Sequence, residues 1–193
     1  MNGRHNSGAS SVRGIILLAS SLFAASLATM RAEERLIGTR PPEWQVEHWL
    51  NSEPLRLAEL KGKVVLVRWW TAPGCAFCTA SAPALNEFYR EYHSRGLEII
   101  GFYHHKSEGP LRVKTVKRQA QEFGFKFPVV IDTDWRTLRQ WWLGAGDRDW
   151  TSVSFLIDRR GVVRHIHPGG QYVKGDKAYA EMKAKLEELL AEK

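Results

Sequence analysis

The hydrophobic pattern divides the chain into an apolar N-terminal run and a longer stretch in which strand-like and helix-like blocks alternate. Gly14 to Met30 carries no charge and is rich in Ile and Leu. Much later, Val64-Val65-Leu66-Val67 is a continuous apolar run, the mark of a strand buried on both faces, and Trp69 and Trp70 extend it. Leu97 to Tyr103 reads as a second buried strand and Phe127 to Asp132 as a third. Val153 to Asp158 and Val162 to His167 form a hairpin about Arg159-Arg160-Gly161, and Pro168-Gly169-Gly170 stops it. Leu55-Arg56-Leu57 is expected as a short edge strand.

Helical spacing falls between these runs. From near Cys75, through Pro83, to Gly96, the residues Leu85, Phe88, Tyr89 and Tyr92 share one face. Leu111 to Phe123 turns Val113, Val116, Ala120 and Phe123 inward and Arg112, Lys114, Lys117 and Arg118 outward. That basic stripe reads as a solvated helix face. Trp135 to Trp142 is a short helix, and a closing helix aligns Tyr179, Met182, Leu186, Leu189 and Leu190. The sequence shows no repeats or low-complexity stretches. Strands alternating with helices predict an α/β domain around a central mixed sheet.

The chain has 193 residues, which fits one domain over residues 33–193 behind an N-terminal segment, 1–32. Arg4 and Arg13 lie in a lead without acidic residues, and Ser26-Leu27-Ala28 supplies the small residues a signal peptidase reads. Residues 1–32 are therefore expected to be a signal peptide or an uncleaved membrane anchor, which places the protein in the periplasm or otherwise outside the cytoplasm. The seventeen uncharged residues from Gly14 to Met30 are short for a span, which needs about 20. The net charge of +7 falls to +4 when Arg4, Arg13 and Arg31 leave with that segment. So mild a surplus gives no reason to expect a nucleic-acid partner.

Only two cysteines occur, Cys75 and Cys78, and they frame Ala76-Phe77. Outside the cytoplasm such an isolated pair is a redox centre or half of a metal site. A strand, a loop (Thr71-Ala72-Pro73-Gly74) and a helix put Cys75 in the first helical turn. Unpaired N–H groups and the helix dipole favour its thiolate there, which makes Cys75 the candidate nucleophile. Cys78, one turn on, can resolve a mixed disulfide. A metal reading would need further ligands, and His104-His105 and His165-Ile166-His167 lack a standard finger spacing.

The apolar strand at Val64–Val67, the CxxC pair, Pro83 five residues beyond it, and Ser154-Phe155-Leu156-Ile157-Asp158 with Gly161 resemble the TlpA/ResA-like thioredoxin-fold proteins of the AhpC/TSA–redoxin superfamily. The resemblance runs over about residues 41–190. The helix and strand at 110–132 match that branch's insertion into plain thioredoxin. It implies a thioredoxin-like fold, with a central mixed sheet flanked by helices and this extra helix-strand insertion. It also implies an exported thiol–disulfide oxidoreductase with a redox-active Cys75–Cys78 disulfide and no cofactor or metal. Protein thiols or disulfides would be its substrates, a membrane or periplasmic protein its electron donor, and cytochrome c maturation its setting. Thr151, Ser152 and Trp70 would face the substrate.

Three positions depart from the family pattern. Thr151-Ser152 stands where the family has a cis-proline, so a trans bond is expected, because a non-proline cis bond costs about 2.5–4 kcal/mol. Gly74 replaces a tryptophan before the first cysteine, and Arg68 is the charge on a strand that often carries an acidic proton acceptor. His104 and His105 follow the second strand at the active edge. Either is a candidate base for Cys78; a solvent-facing loop histidine is the plainer reading. Trp135, Trp141, Trp142 and Trp150 read mainly as core, with a substrate groove as the other option. Two alternative functions stay open. One is a peroxiredoxin-like thiol peroxidase, although Ala72 stands where that branch has threonine. The other is a copper- or metal-handling module.

Overall fold

The computed structural model describes residues 35–145 and 148–192. The expected signal or anchor at 1–32 and part of the Gly144–Asp147 loop lie outside the described residues. Six strands form one mixed sheet: β1 (His48–Leu50), β2 (Val64–Trp70), β3 (Leu97–Tyr103), β4 (Val129–Ile131), β5 (Ser154–Ile157) and β6 (Val163–His167). Their order is β1-β4-β3-β2-β5-β6. Strands β2, β3 and β4 run parallel, while β1, β5 and β6 join by antiparallel pairing. Among the described residues four α-helices flank the sheet: α1 (Ala76–Tyr92), α2 (Val113–Glu122), α3 (Arg136–Trp141) and α4 (Lys177–Ala191).

Strand alternation splits the apolar residues into two cores. On one face Val64, Leu66 and Trp70 meet Leu85, Phe88 and Tyr92 of α1, Val116 and Ala120 of α2, and Met182 and Leu186 of α4. On the other, Val65, Val67 and Trp69 pack with Phe102, Phe155, Leu138, Trp141 and Trp44. Every residue of β2 and β3 is buried, as continuous apolar runs require. Gly96, at φ 98°, closes the turn between α1 and β3, a conformation that glycine adopts without a Cβ clash.

Three expectations are corrected. Leu55-Arg56-Leu57 is not a strand. Leu57–Leu60 forms a 3-10 turn, because the Glu43 carboxylate accepts from the N–H groups of Leu57 and Ala58 and Glu59 accepts from Arg56 N–H. The edge strand is His48–Leu50, paired antiparallel with β4. The second helix begins at Val113, which overhangs solvent; Gln119 joins Val116 and Ala120 on the inward face instead. The third strand shrinks to Val129–Ile131. Its flank, Asp132, keeps one backbone bond, from its N–H to Tyr103 C=O, while its carboxylate accepts from Trp69 Nε1 and from the N–H groups of Thr137 and Leu138 at the start of α3.

The outer edge of β6 is not bare. Gly38 N–H donates to Val163 C=O, and Val163 N–H donates to Thr39 C=O, so the lead-in peptide pairs with the first residue of that strand.

Candidate active site

The parallel strands β2 and β3 both end at the same sheet edge, where loops are free to carry chemistry. From β2 the chain passes Thr71 to Gly74 and enters α1 at Cys75, its N-cap. Cys75 and Cys78 form a disulfide, with Cα atoms 5.2 Å apart. The Cys78 N–H donates to Cys75 Sγ at 3.2 Å, so the helix's first turn solvates that sulfur. Cys75 is half-buried, whereas Cys78 is 2% exposed and belongs to the core. The two sulfurs are thereby unequal: a visiting group reaches Cys75 first.

A groove of about 560 Å³ opens on Cys75. Thr71, Pro73, Gly74, Ala76 and Phe77 from the loop and helix start line it together with His104, Lys106 and Asp149 to Ser152. Thr151 and Ser152 thus share the groove with Cys75, and the bond between them is trans; the cis bond among the described residues is Ala72–Pro73. Phe77 and Trp150 are exposed and approach within 5.7 Å, forming an aromatic ledge beside the disulfide. Gly169 lies tight beneath Trp150, where an added Cβ would come within 2.5 Å of the Trp150 Cβ.

His104 is not a solvent-facing loop residue. It is 1% exposed, its backbone N–H donates to Trp70 C=O, and its Nε2 lies 2.9 Å from Thr151 Oγ1. Burial first, and then the nearby Lys106 charge, push its pKa down to about 3, so the ring is neutral. His105 faces elsewhere. Its Nδ1 is 3.1 Å from the Tyr103 hydroxyl and its Nε2 is 2.6 Å from Gly109 O, beside a separate small cavity. Trp70, expected to face the substrate, is 1% exposed in the core against Tyr103, Phe123 and Phe125. Alternation puts Trp69 and Trp70 on opposite faces of a strand that is covered on both.

Trp141 and Trp142 are core residues and Trp135 packs edge-on against His104, so Trp150 alone of these four lines the groove. Sequence reasoning did not single out Lys106 or Asp149 as groove residues. Lys106 follows the paired histidines at a strand end, a signal that was legible; Asp149 offered none. His165 and His167 leave one face of β6, and His167 packs on Tyr172 rather than reaching the sulfurs.

A helix-capping CxxC at the end of a central parallel strand, facing a groove, defines a thioredoxin-like redox protein. Comparisons agree. The AhpC/TSA family model matches residues 37–166. The thiol-disulfide oxidoreductase ResA of Bacillus anthracis is 31% identical over 131 residues, covering 68% of this chain and 69% of that protein. The protein DipZ of Mycobacterium tuberculosis is 30% identical over 163 residues, covering 82% of this chain. The chain spans only 23% of DipZ's length. A putative thiol:disulfide interchange protein DsbE from Chlorobium tepidum shares the fold, with a TM-score of 0.65 at 20% identity over 80% of this chain and 98% of that one. The chain belongs to the AhpC/TSA family, in its TlpA/ResA-like thioredoxin-fold branch of thiol–disulfide oxidoreductases.

Proposed function

We propose that this protein is an exported thiol–disulfide oxidoreductase that exchanges disulfides with protein substrates. The observation that carries the reading is the inequality of the sulfurs: half-buried Cys75 caps α1 and opens on a groove, while Cys78 is sealed behind it. In the oxidised form a substrate thiolate attacks Cys75 Sγ. The Cys75–Cys78 bond breaks, a mixed disulfide forms, and Cys78 leaves as a thiolate that takes a proton. A second substrate thiol then attacks the substrate sulfur, closing the substrate disulfide and releasing the Cys75 thiolate. Reduction of a substrate runs the same steps backwards, with Cys75 attacking and Cys78 resolving.

A protein substrate suits the groove. It is open, edged by the Phe77–Trp150 ledge, and backed by Thr151 and Ser152. His104 serves as a neutral hydrogen-bonding partner of Thr151 rather than as a base, because an effective base needs a pKa near the working pH and burial holds His104 at about 3. Export rests on the N-terminal pattern of Arg4, Arg13 and the uncharged Gly14–Met30 run. The resemblance to the TlpA/ResA-like branch adds a membrane or periplasmic electron donor and a role in cytochrome c maturation to this reading.

The test is insulin disulfide reduction by the purified chain with dithiothreitol as donor. Cys75→Ser should lose turnover, and Cys78→Ser should accumulate a mixed disulfide with the substrate on Cys75. Full turnover in Cys75→Ser, or a mixed disulfide on Cys78 instead, would refute the assignment.

A further inference from the structure

Strand β2 sends Val64, Leu66, Arg68 and Trp70 to the face covered by α1 and α4, and Arg68 is the one charge among them. Its side chain is 1% exposed. Nη1 donates to Ser152 C=O and, at 3.3 Å, to Ser154 Oγ; Nη2 donates to Gly170 C=O at 2.8 Å. The guanidinium lies 5.1 Å from the centroid of the Tyr172 ring. All these partners are neutral, and among the described residues no carboxylate pairs with Arg68. A buried charge is costly even when well paired, and here its hydrogen bonds leave the net charge standing.

The position of that charge matters. Ser152, whose carbonyl it holds, lines the groove that opens on Cys75. Tyr172, which it overlies, donates its N–H to Ser81 Oγ, one turn of α1 beyond Cys78. The guanidinium is therefore tied to the groove lining through Ser152 and, by way of Tyr172, to helix α1 at Ser81. Burial and then Arg68 push His167 of β6 down to about 4, and at His104 the Arg68 charge acts in the same direction as burial and Lys106. Around the sulfurs the groove itself presents Lys106, Asp149 and the neutral His104. Deep in the wall, the charge is positive.

We propose that Arg68 is a positioning and electrostatic residue of the redox site: its buried, uncompensated charge stabilises the thiolate produced on reduction and makes the Cys75–Cys78 pair a stronger oxidant, while its fork holds the Ser152 wall. This deepens the oxidoreductase reading and rests on it. The step involved is the transfer of two electrons from a substrate dithiol. The substrate forms its S–S bond and gives up two protons. The Cys75–Cys78 bond breaks, Cys78 keeps one proton as a thiol, Cys75 remains a thiolate, and the second proton goes to solvent. Stabilising that thiolate favours the reduced protein and raises its potential.

The test equilibrates the full chain with glutathione buffers and reads the disulfide fraction by alkylation and mass, for the wild type, Arg68→Met, Arg68→Gln and Arg68→Lys. The pH profile of Cys75 alkylation is measured alongside. Arg68→Met should shift the equilibrium about tenfold toward the disulfide, about 30 mV for this two-electron couple, and move the alkylation profile to higher pH. Arg68→Gln, which keeps hydrogen-bonding capacity without charge, should shift the same way, and it carries the comparison if Arg68→Met does not fold. Arg68→Lys keeps the charge and should stay within about threefold of the wild type while exchanging more slowly with insulin. Neutral variants matching the wild type, or Arg68→Lys shifting as far as they do, would overturn the proposal. A wild type that never exchanges with glutathione would instead overturn the oxidoreductase reading itself.

Discussion

Replacing His104 with glutamine should flatten the acid side of this protein's stability. The His104 backbone N–H donates to Trp70 C=O, its imidazole is enclosed beside Thr151 Oγ1 and the Trp135 ring, and burial holds its pKa at about 3 against the usual 6.5. The folded value is depressed, so the native state is favoured fully above 6.5 and loses ground as pH falls toward 3. Between pH 7 and pH 4 the unfolded ring gains a proton that the folded ring refuses. About 2.5 pH units of that difference, at about 1.4 kcal/mol each, amount to about 3 kcal/mol. Glutamine reaches toward Thr151 with an amide and does not titrate. His165 and His167, also lowered by burial, persist in both proteins and cancel in the comparison. Urea unfolding of the oxidised wild type and His104→Gln at pH 7 and pH 4 measures the effect. The wild type should lose about 3 kcal/mol more than the variant on acidification. Equal losses would show that the ring is not sealed as described.

Two further outcomes are expected. Trp69→Phe keeps the ring packing against Phe102 but removes the donor at 3.0 Å from the buried Asp132 carboxylate, which should cost about 1–3 kcal/mol in urea titrations; an unchanged midpoint would mean that water replaces the indole. Gly169→Ala forces a Cβ against Trp150, so Tm should fall by an amount equivalent to about 1–3 kcal/mol and insulin turnover should drop with it; a neutral result would show that the ledge moves freely.

The parallel strands were legible because burial on both faces leaves an uninterrupted apolar run, and β3 spans the expected Leu97–Tyr103. Helix α1 was legible from its stripe and from Gly96. The edge was not. His48-Trp49-Leu50 has three residues and no alternation long enough to register, while Leu55-Arg56-Leu57 mimics a strand whose backbone is in fact claimed by Glu43. At the site, the placement of Cys75 follows from local strand-loop-helix order. The burial of His104 does not, because it depends on Thr151, which lies 47 residues away in sequence. Trp70 misled for a related reason. A strand's last residue reads as exposed until Phe123 and Phe125, from the insertion, cover it.

The ladder contact at Gly38 and Thr39 has a geometric consequence. Strand β6 runs in the same direction as β2, since each is antiparallel to β5, so Val163 marks the pole of the sheet opposite the sulfurs. The polypeptide therefore enters this domain from the far pole, so the lead-in peptide and the aromatic rim occupy separate ends of the sheet and neither crowds the other.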